Sequence, residues 1–155
     1  MIVIRVANAQ QDATMLTHHN CAMALETENK ALDPKVAQLG VYGLFDRPQF
    51  GFYLVAEVDG EPAASLMVTY EWSDWRNGLF WWIESVYVKK DYRRQGLYRA
   101  MYAELKRMSA EQPTPVCGFR LYAETDNTDA HTTYRECGMH VCEYLMFEES
   151  TAQAG

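Results

Sequence analysis

Arg93-Arg94-Gln95-Gly96 joins two guanidinium groups to a glycine where charged sequence gives way to helical periodicity. Leu97, Met101, Leu105 and Met108 recur on one helical face, so a helix starts directly after Gly96. The first amides of a helix point outward, glycine lets a ligand approach the backbone, and the arginines flank both. A phosphate or pyrophosphate suits this arrangement; the plainer alternative is a basic, solvated helix start. Upstream, Glu84 is a lone carboxylate in the run Trp81-Trp82-Ile83-Glu84-Ser85-Val86. A carboxylate among apolar neighbours is a candidate for proton exchange, unless it simply faces outward from a half-exposed strand. Trp72, Trp75, Trp81 and Trp82 accompany Glu71, Asp74 and Glu84. Aromatic faces with carboxylates fit an ammonium ligand, although tryptophans also bury in cores and dimer interfaces.

These groups need strands and helices to position them. Residues 2–6 read as a strand, 12–25 as a helix, and Asp33-Pro34 as the capped start of a helix ending near Phe45. Residues 52–58 and 62–70 form strands around the Asp59-Gly60 turn. Residues 71–78 read as a long polar and aromatic loop, and 79–88 as the strand that carries Glu84. After the helix from Leu97, Pro113 and Pro115 break the chain, and 118–124 alternates as a strand. Asn127 or Thr128 caps a short helix closed by Gly138, and 139–147 reads as the last strand. The expected order is β-α-α-β-β-β-α-β-α-β. This is an α/β fold with a mixed sheet, antiparallel early and parallel late, and helices on both faces.

At 155 residues the chain is long enough for one domain with a substantial core. We expect a single domain over 1–149 and a frayed tail over 150–155. Hydrophobic residues make up 48%, which argues against disorder. A net charge of −7 argues against nucleic-acid or anionic-membrane partners. Residues 89–99 are nevertheless basic, as an anionic ligand requires. The chain opens as a strand, and no apolar run reaches membrane-span length. Cys21, Cys117, Cys137 and Cys142 show no Cys-x-x-Cys spacing, and His131 and His140 show no metal-site spacing. Reduced thiols, no metal and a cytoplasmic location are expected.

The run Val86-Tyr87-Val88, followed by Tyr92-Arg93-Arg94-Gln95-Gly96-Leu97, resembles the central motif of the GNAT superfamily of N-acetyltransferases. That motif is Arg/Gln-x-x-Gly-x-Gly/Ala after a strand; Tyr98 stands here where Gly or Ala is usual. Downstream, the run from Asn127 to Met139 resembles the second family motif, with Met139 in place of Phe. The resemblance covers the C-terminal two-thirds well and the N-terminal third by element order.

This resemblance implies the GNAT fold, with its sheet splayed between the fourth and fifth strands. It also implies acyl transfer from acetyl-CoA to a primary amine of a small molecule or peptide, directly, in a ternary complex. By resemblance, Arg93, Arg94, Gln95, Gly96, Leu97, Tyr98 and Arg99 hold the pyrophosphate, and Val86, Tyr87 and Val88 pair with the pantetheine arm. Asn127 either bonds the same arm or caps its helix. Glu84 is the candidate base for the arriving ammonium, and its strand resembles that of the spermidine/spermine acetyltransferase branch. Tyr134 holds the family position of the acid that protonates the leaving thiolate; the alternative is a core tyrosine. The acceptor belongs near Trp72, Asp74, Trp75 and Glu84, and a homodimer is expected. A catalytically silent coenzyme A sensor or scaffold of the same fold is the rival reading.

Overall fold

The computed structural model describes residues 1–152. Its elements are β1 (Ile2–Val6), α1 (Ala9–Glu28), α2 (Pro34–Phe45), β2 (Gly51–Val58), β3 (Glu61–Ser73), β4 (Gly78–Val88), α3 (Leu97–Ala110), β5 (Val116–Arg120) and α4 (Thr128–Glu136). A 3₁₀ turn at Lys90–Tyr92 links β4 to α3. The chain divides into two compact units, one spanning Met1–Tyr122 and one from Ala123 onward.

The first unit is a five-stranded sheet in the order β1-β2-β3-β4-β5. The first four strands are antiparallel in sequence, and β5 runs parallel to β4. Alternation sorts the side chains to two faces. On one face, Tyr53 and Met67 meet Ala13 and Leu16 of α1 and Val41 and Leu44 of α2. On the other, Phe52, Tyr70, Trp81 and Phe119 make a chain of ring contacts that reaches Tyr102 of α3. Helices therefore cover both faces.

Local chemistry explains why the helices begin where they do. Asn8 caps α1 by accepting from the Gln11 amide at 2.8 Å. Asp12, 1% exposed, accepts from Arg5 at 2.8 and 2.9 Å and from the Asn8 amide at 2.9 Å, which ties β1 to α1. Burial alone would raise the Asp12 pKa, but the Arg5 bonds and the Asn8 amide outweigh it and hold the carboxyl below its ordinary value. Asp33 caps α2, with Pro34 in its first turn.

Several boundaries differ from the sequence expectation. Helix α1 starts three residues before Asp12, because its cap is Asn8. Strand β3 continues to Ser73, with Trp72 opposite Leu79 and Ser73 opposite Gly78, so the loop shrinks to a tight turn containing Asn77 at φ 50°. The β-prone Tyr70 and Trp72 prevail over the turn-forming residues that follow them. Strand β5 runs from Val116 to Arg120 and not over 118–124: it ends where its pairing with β4 ends, and it starts early since Gly78 lets Pro115 come close, a Cβ at Gly78 lying 2.8 Å from the Pro115 carbonyl oxygen. The Leu79 amide donates to that oxygen at 2.9 Å.

In the second unit, the Asn127 side chain caps α4 by accepting from the Ala130 amide at 3.3 Å. Gly138, at φ 96°, ends the helix, and the Met139 amide returns to the Tyr134 carbonyl at 3.0 Å. The expected last strand over 139–147 does not form. A β-prone run becomes a strand only when its backbone groups find a ladder.

Candidate active site

The sheet opens within β4. Ser65 pairs with Tyr87 and Met67 pairs with Glu84, so two steps on β3 match three on β4. The extra residue makes a β-bulge, and Ser85 takes φ 52°. Pairing between β4 and β5 runs from Leu79↔Val116 to Trp82↔Arg120 and ends there. Beyond Trp82, among the described residues, the stretch to Val88 has a strand partner on its β3 side only. This is the splay expected between the fourth and fifth strands. It leaves a backbone edge at Ile83–Val88 that an extended amide-bearing ligand can join as a strand does.

Glu84 stands at the mouth of this opening. It is half-buried, and its Oε1 accepts from Thr69 Oγ1 at 3.1 Å. Register places Glu84, Thr69, Trp82 and Glu71 on the same face of the sheet. Glu71 Oε1 accepts from Trp82 Nε1 at 2.8 Å and from Arg120 at 2.9 Å. The Arg120 guanidinium lies 3.6 Å from the Phe80 ring centroid. Tyr53, buried on this face, has its phenol pKa raised by burial first and by the Glu84 charge second.

The four tryptophans do not form one wall. Trp82 faces the Glu84 side, whereas Trp81 is 2% exposed among the rings on the α3 side. Trp72 alternates with Glu71 and so belongs to the Trp81 side. Trp75, at 87% exposure, and Asp74 project from the β3–β4 turn. Of the expected acceptor residues, the sheet gathers Glu84 with Glu71 and Trp82 and leaves Trp72 on the opposite face.

Below the opening, the chain turns through two left-handed residues, Arg94 at φ 63° and Gly96 at φ 76°. Gly96 is exposed, caps α3 without a side-chain bond, and has nothing within 4 Å of an added Cβ. The Ala100 amide bonds the Gly96 carbonyl at 3.0 Å, so helical bonding begins one turn in. Leu97 and Tyr98 are buried, and the Tyr98 ring stacks on Tyr102 at 6.0 Å between centroids. The side chain found where Gly or Ala is usual therefore packs into the helix and leaves the loop backbone accessible. Gln95 reaches the Asp91 carbonyl at 3.4 Å.

Arg93 is held differently from Arg94. Its Nε donates to the Val88 carbonyl at 2.8 Å and its Nη2 lies 2.7 Å from Glu26. Its guanidinium carbon sits 5.6 Å from the Tyr87 ring centroid, and the Tyr87 hydroxyl donates to Glu26 at 3.1 Å. The bond from Arg93 is the main reason the Glu26 pKa is lowered. Behind Tyr87, 5.0 Å away, is the His19 ring, whose Nδ1 shares a 2.7 Å hydrogen bond with Ser65 Oγ. Burial pushes the His19 pKa down to about 4. Sequence reading alone misses His19, Glu26, Ser65, Thr69 and Arg120 as members of this site.

In the second unit, Tyr134 is half-buried on α4, and burial raises its pKa. The Asn127 side chain is the helix cap already described, and His131 Nε2 lies 2.7 Å from the Glu124 carbonyl. Among the described residues, no group of three or more His, Cys, Asp or Glu could hold a metal ion, and no helix is long and apolar enough to cross a membrane.

The fold agrees with comparison to known proteins. Residues 14–139 match the model of the acetyltransferase (GNAT) family. The chain belongs to that family. It is 39% identical to a possible acetyltransferase from Clostridium difficile 630, over 99% of both chains, with a TM-score of 0.89. A predicted acetyltransferase from Clostridium acetobutylicum, solved with acetyl-CoA, shares the fold at 17% identity, 96% coverage of each chain and a TM-score of 0.74. A ribosomal-protein-alanine N-acetyltransferase from Brucella melitensis biovar Abortus 2308 does so at 14% identity, covering 97% of this chain and 100% of that one, with a TM-score of 0.76. No curated protein matches the chain.

Proposed function

We propose that this protein transfers an acetyl group from acetyl-CoA to a primary amine by direct attack in a ternary complex. The observation that carries this reading is the unpaired edge of β4 beyond Trp82, with Glu84 at one end and the Gly96 loop after the other. The edge suits the two amides of a pantetheine arm, and the loop suits its diphosphate. Arg94, Gln95 and the amides from Gly96 to Arg99 receive the charge, while Arg93 shapes the loop through Val88 and Glu26. Asn127 is a further candidate for the arm.

An aliphatic ammonium has a pKa of about 10 and must lose a proton before it attacks. Glu84 accepts that proton, directly or through water, and Thr69 orients the carboxylate. The amine nitrogen then bonds the thioester carbon. A backbone N–H near Val86 stabilises the oxyanion, a contribution of about 3 kcal/mol. As the carbon–sulfur bond breaks, the Tyr134 phenol protonates the departing thiolate. Burial keeps that phenol protonated to higher pH.

Glu84 on the Trp82 face favours a cationic acceptor, Glu71 there being already paired with Arg120, and we assign the acceptor to the diamine and polyamine class that the resemblance of the Glu84 strand implies. We take residues 1–149 to act as one acetyltransferase domain, working in the cytoplasm. A steady-state assay of thiol release tests the proposal, using monoamines, diamines, polyamines and peptide N-termini. Diamines should give the highest kcat/KM. If coenzyme A binds but no amine accelerates thiol release, the chain is a silent binder of the same fold.

A further inference from the structure

His19 and Ser65 form a buried polar pair that the steps of acetyl transfer leave unused. His19 is 4% exposed and Ser65 2%, and the 2.7 Å bond between Nδ1 and Oγ joins α1 to β3. Nε2 of the same ring is buried and has no hydrogen-bond partner among the described residues. With a pKa of about 4 the ring is neutral at pH 7, so it offers one donor and one acceptor and uses a single one of them. A buried polar atom left unpaired is costly, whereas two apolar side chains of similar bulk would fill the same place with little loss of stability. Such a pair points to a use other than stability.

Its position supplies that use. Ser65 stands opposite Tyr87, the first regular pair after the bulge at Ser85. His19 touches both members, Ser65 through Nδ1 and Tyr87 ring to ring at 5.0 Å. A sheet without the bulge would continue from Met67 opposite Glu84 to Leu66 opposite Ser85 and Ser65 opposite Val86. That slip of one residue would bring Val86 beneath His19 and turn Tyr87 to the other face, away from Glu26. The bond to Ser65 fixes the plane of the imidazole, and the fixed ring packs against the tilted ring of Tyr87.

We propose that His19 is a positioning residue for the acyl donor: it clamps Ser65 and Tyr87 together, selects the bulged register over the regular one, and so sets the β4 edge for the pantetheine arm. This rests on the acetyl-CoA reading given above.

The double variant His19→Leu/Ser65→Ala tests it, by calorimetry, thermal melts and amide hydrogen exchange on the full-length protein. Both side chains become apolar with little change of volume, so the melting temperature should hold. Coenzyme A should bind about tenfold more weakly, since affinity scales with the fraction of molecules in the binding register. Amides 84–88 should exchange about tenfold faster, with 51–58 unchanged. If the double variant does not fold, Ser65→Ala, which keeps the ring and removes its partner, should show the same losses in smaller measure. Wild-type affinity in the folded variant overturns the proposal. So does faster exchange throughout β2, β3 and β4, because the pair is then a general support. A wild type that binds no coenzyme A overturns the acetyl-transfer reading as well, whereas unchanged affinity in the variants overturns this proposal alone.

Discussion

Arg93 Nη2 and Glu26 Oε2 lie 2.7 Å apart, joining the last turns of α1 to the loop after β4 across 67 sequence positions. Tyr87 completes this tie, with its hydroxyl on the same carboxylate and its ring under the guanidinium. The two adjacent arginines therefore differ: Arg93 is a brace, and Arg94 is an exposed cation that we propose receives the diphosphate.

The separation predicts different phenotypes. Arg94→Ala should weaken acetyl-CoA binding by about 10- to 100-fold, the value of one charge-assisted bond, and leave the melting temperature unchanged. Arg93→Ala breaks a partly exposed pair and should cost about 1 kcal/mol or less of stability. Titration calorimetry and thermal melts on both variants measure this. Equal affinity in Arg94→Ala and wild type would remove Arg94 from the site.

Glu84→Gln should lower kcat/KM by about 10²-fold or more. KM for acetyl-CoA should change little, because the carboxylate acts on the acceptor, and a Gln variant with wild-type kcat/KM would assign the base elsewhere.

Tyr134→Phe should reduce kcat by about 10²- to 10⁴-fold with little change in KM for the donor. Because burial raises the phenol pKa, the wild-type enzyme should hold its activity well into the alkaline range. An unaltered kcat in single-turnover measurements would return Tyr134 to a packing role.

His19 predicts a pH dependence of folding. Its native pKa is about 4, and its unfolded pKa is about 6.5. Between these values the unfolded chain binds the proton and the native one does not, so stability falls as pH drops from about 6.5 toward 4. The loss is up to about 3 kcal/mol. Asp12, whose native pKa is lowered, acts in a lower window as pH falls through the carboxylate range. His19→Gln should flatten the upper window in urea titrations; an unchanged slope would rule out His19 as its source.

The legible parts of this molecule are those with local signals. Glycine followed by a four-residue apolar repeat announces Gly96 and α3, and Asp33-Pro34 announces α2. The fold class and most of the element order follow from such cues. The bulge at Ser85 is not legible, because it is defined by counting on two strands at once. The pairing of Glu26 with Arg93 is hidden for a similar reason: no spacing rule links positions that only the sheet brings together. The face of each tryptophan depends on register, which is why a cluster in sequence becomes Trp82 on one side and Trp81 on the other. The run over 139–147 has strand composition but forms no strand among the described residues, and composition alone does not supply a ladder.

Ser85 has one more consequence. Ser85 and Val86 together stand across from Leu66 alone, and regular pairing resumes at Tyr87. Deleting a single codon there would leave every later partnership unchanged and give an uninterrupted ribbon. Such a protein should fold at least as readily, while its neighbour β5 would be free to zip further and shut the gap. Stability and turnover would then part company at one dispensable amino acid.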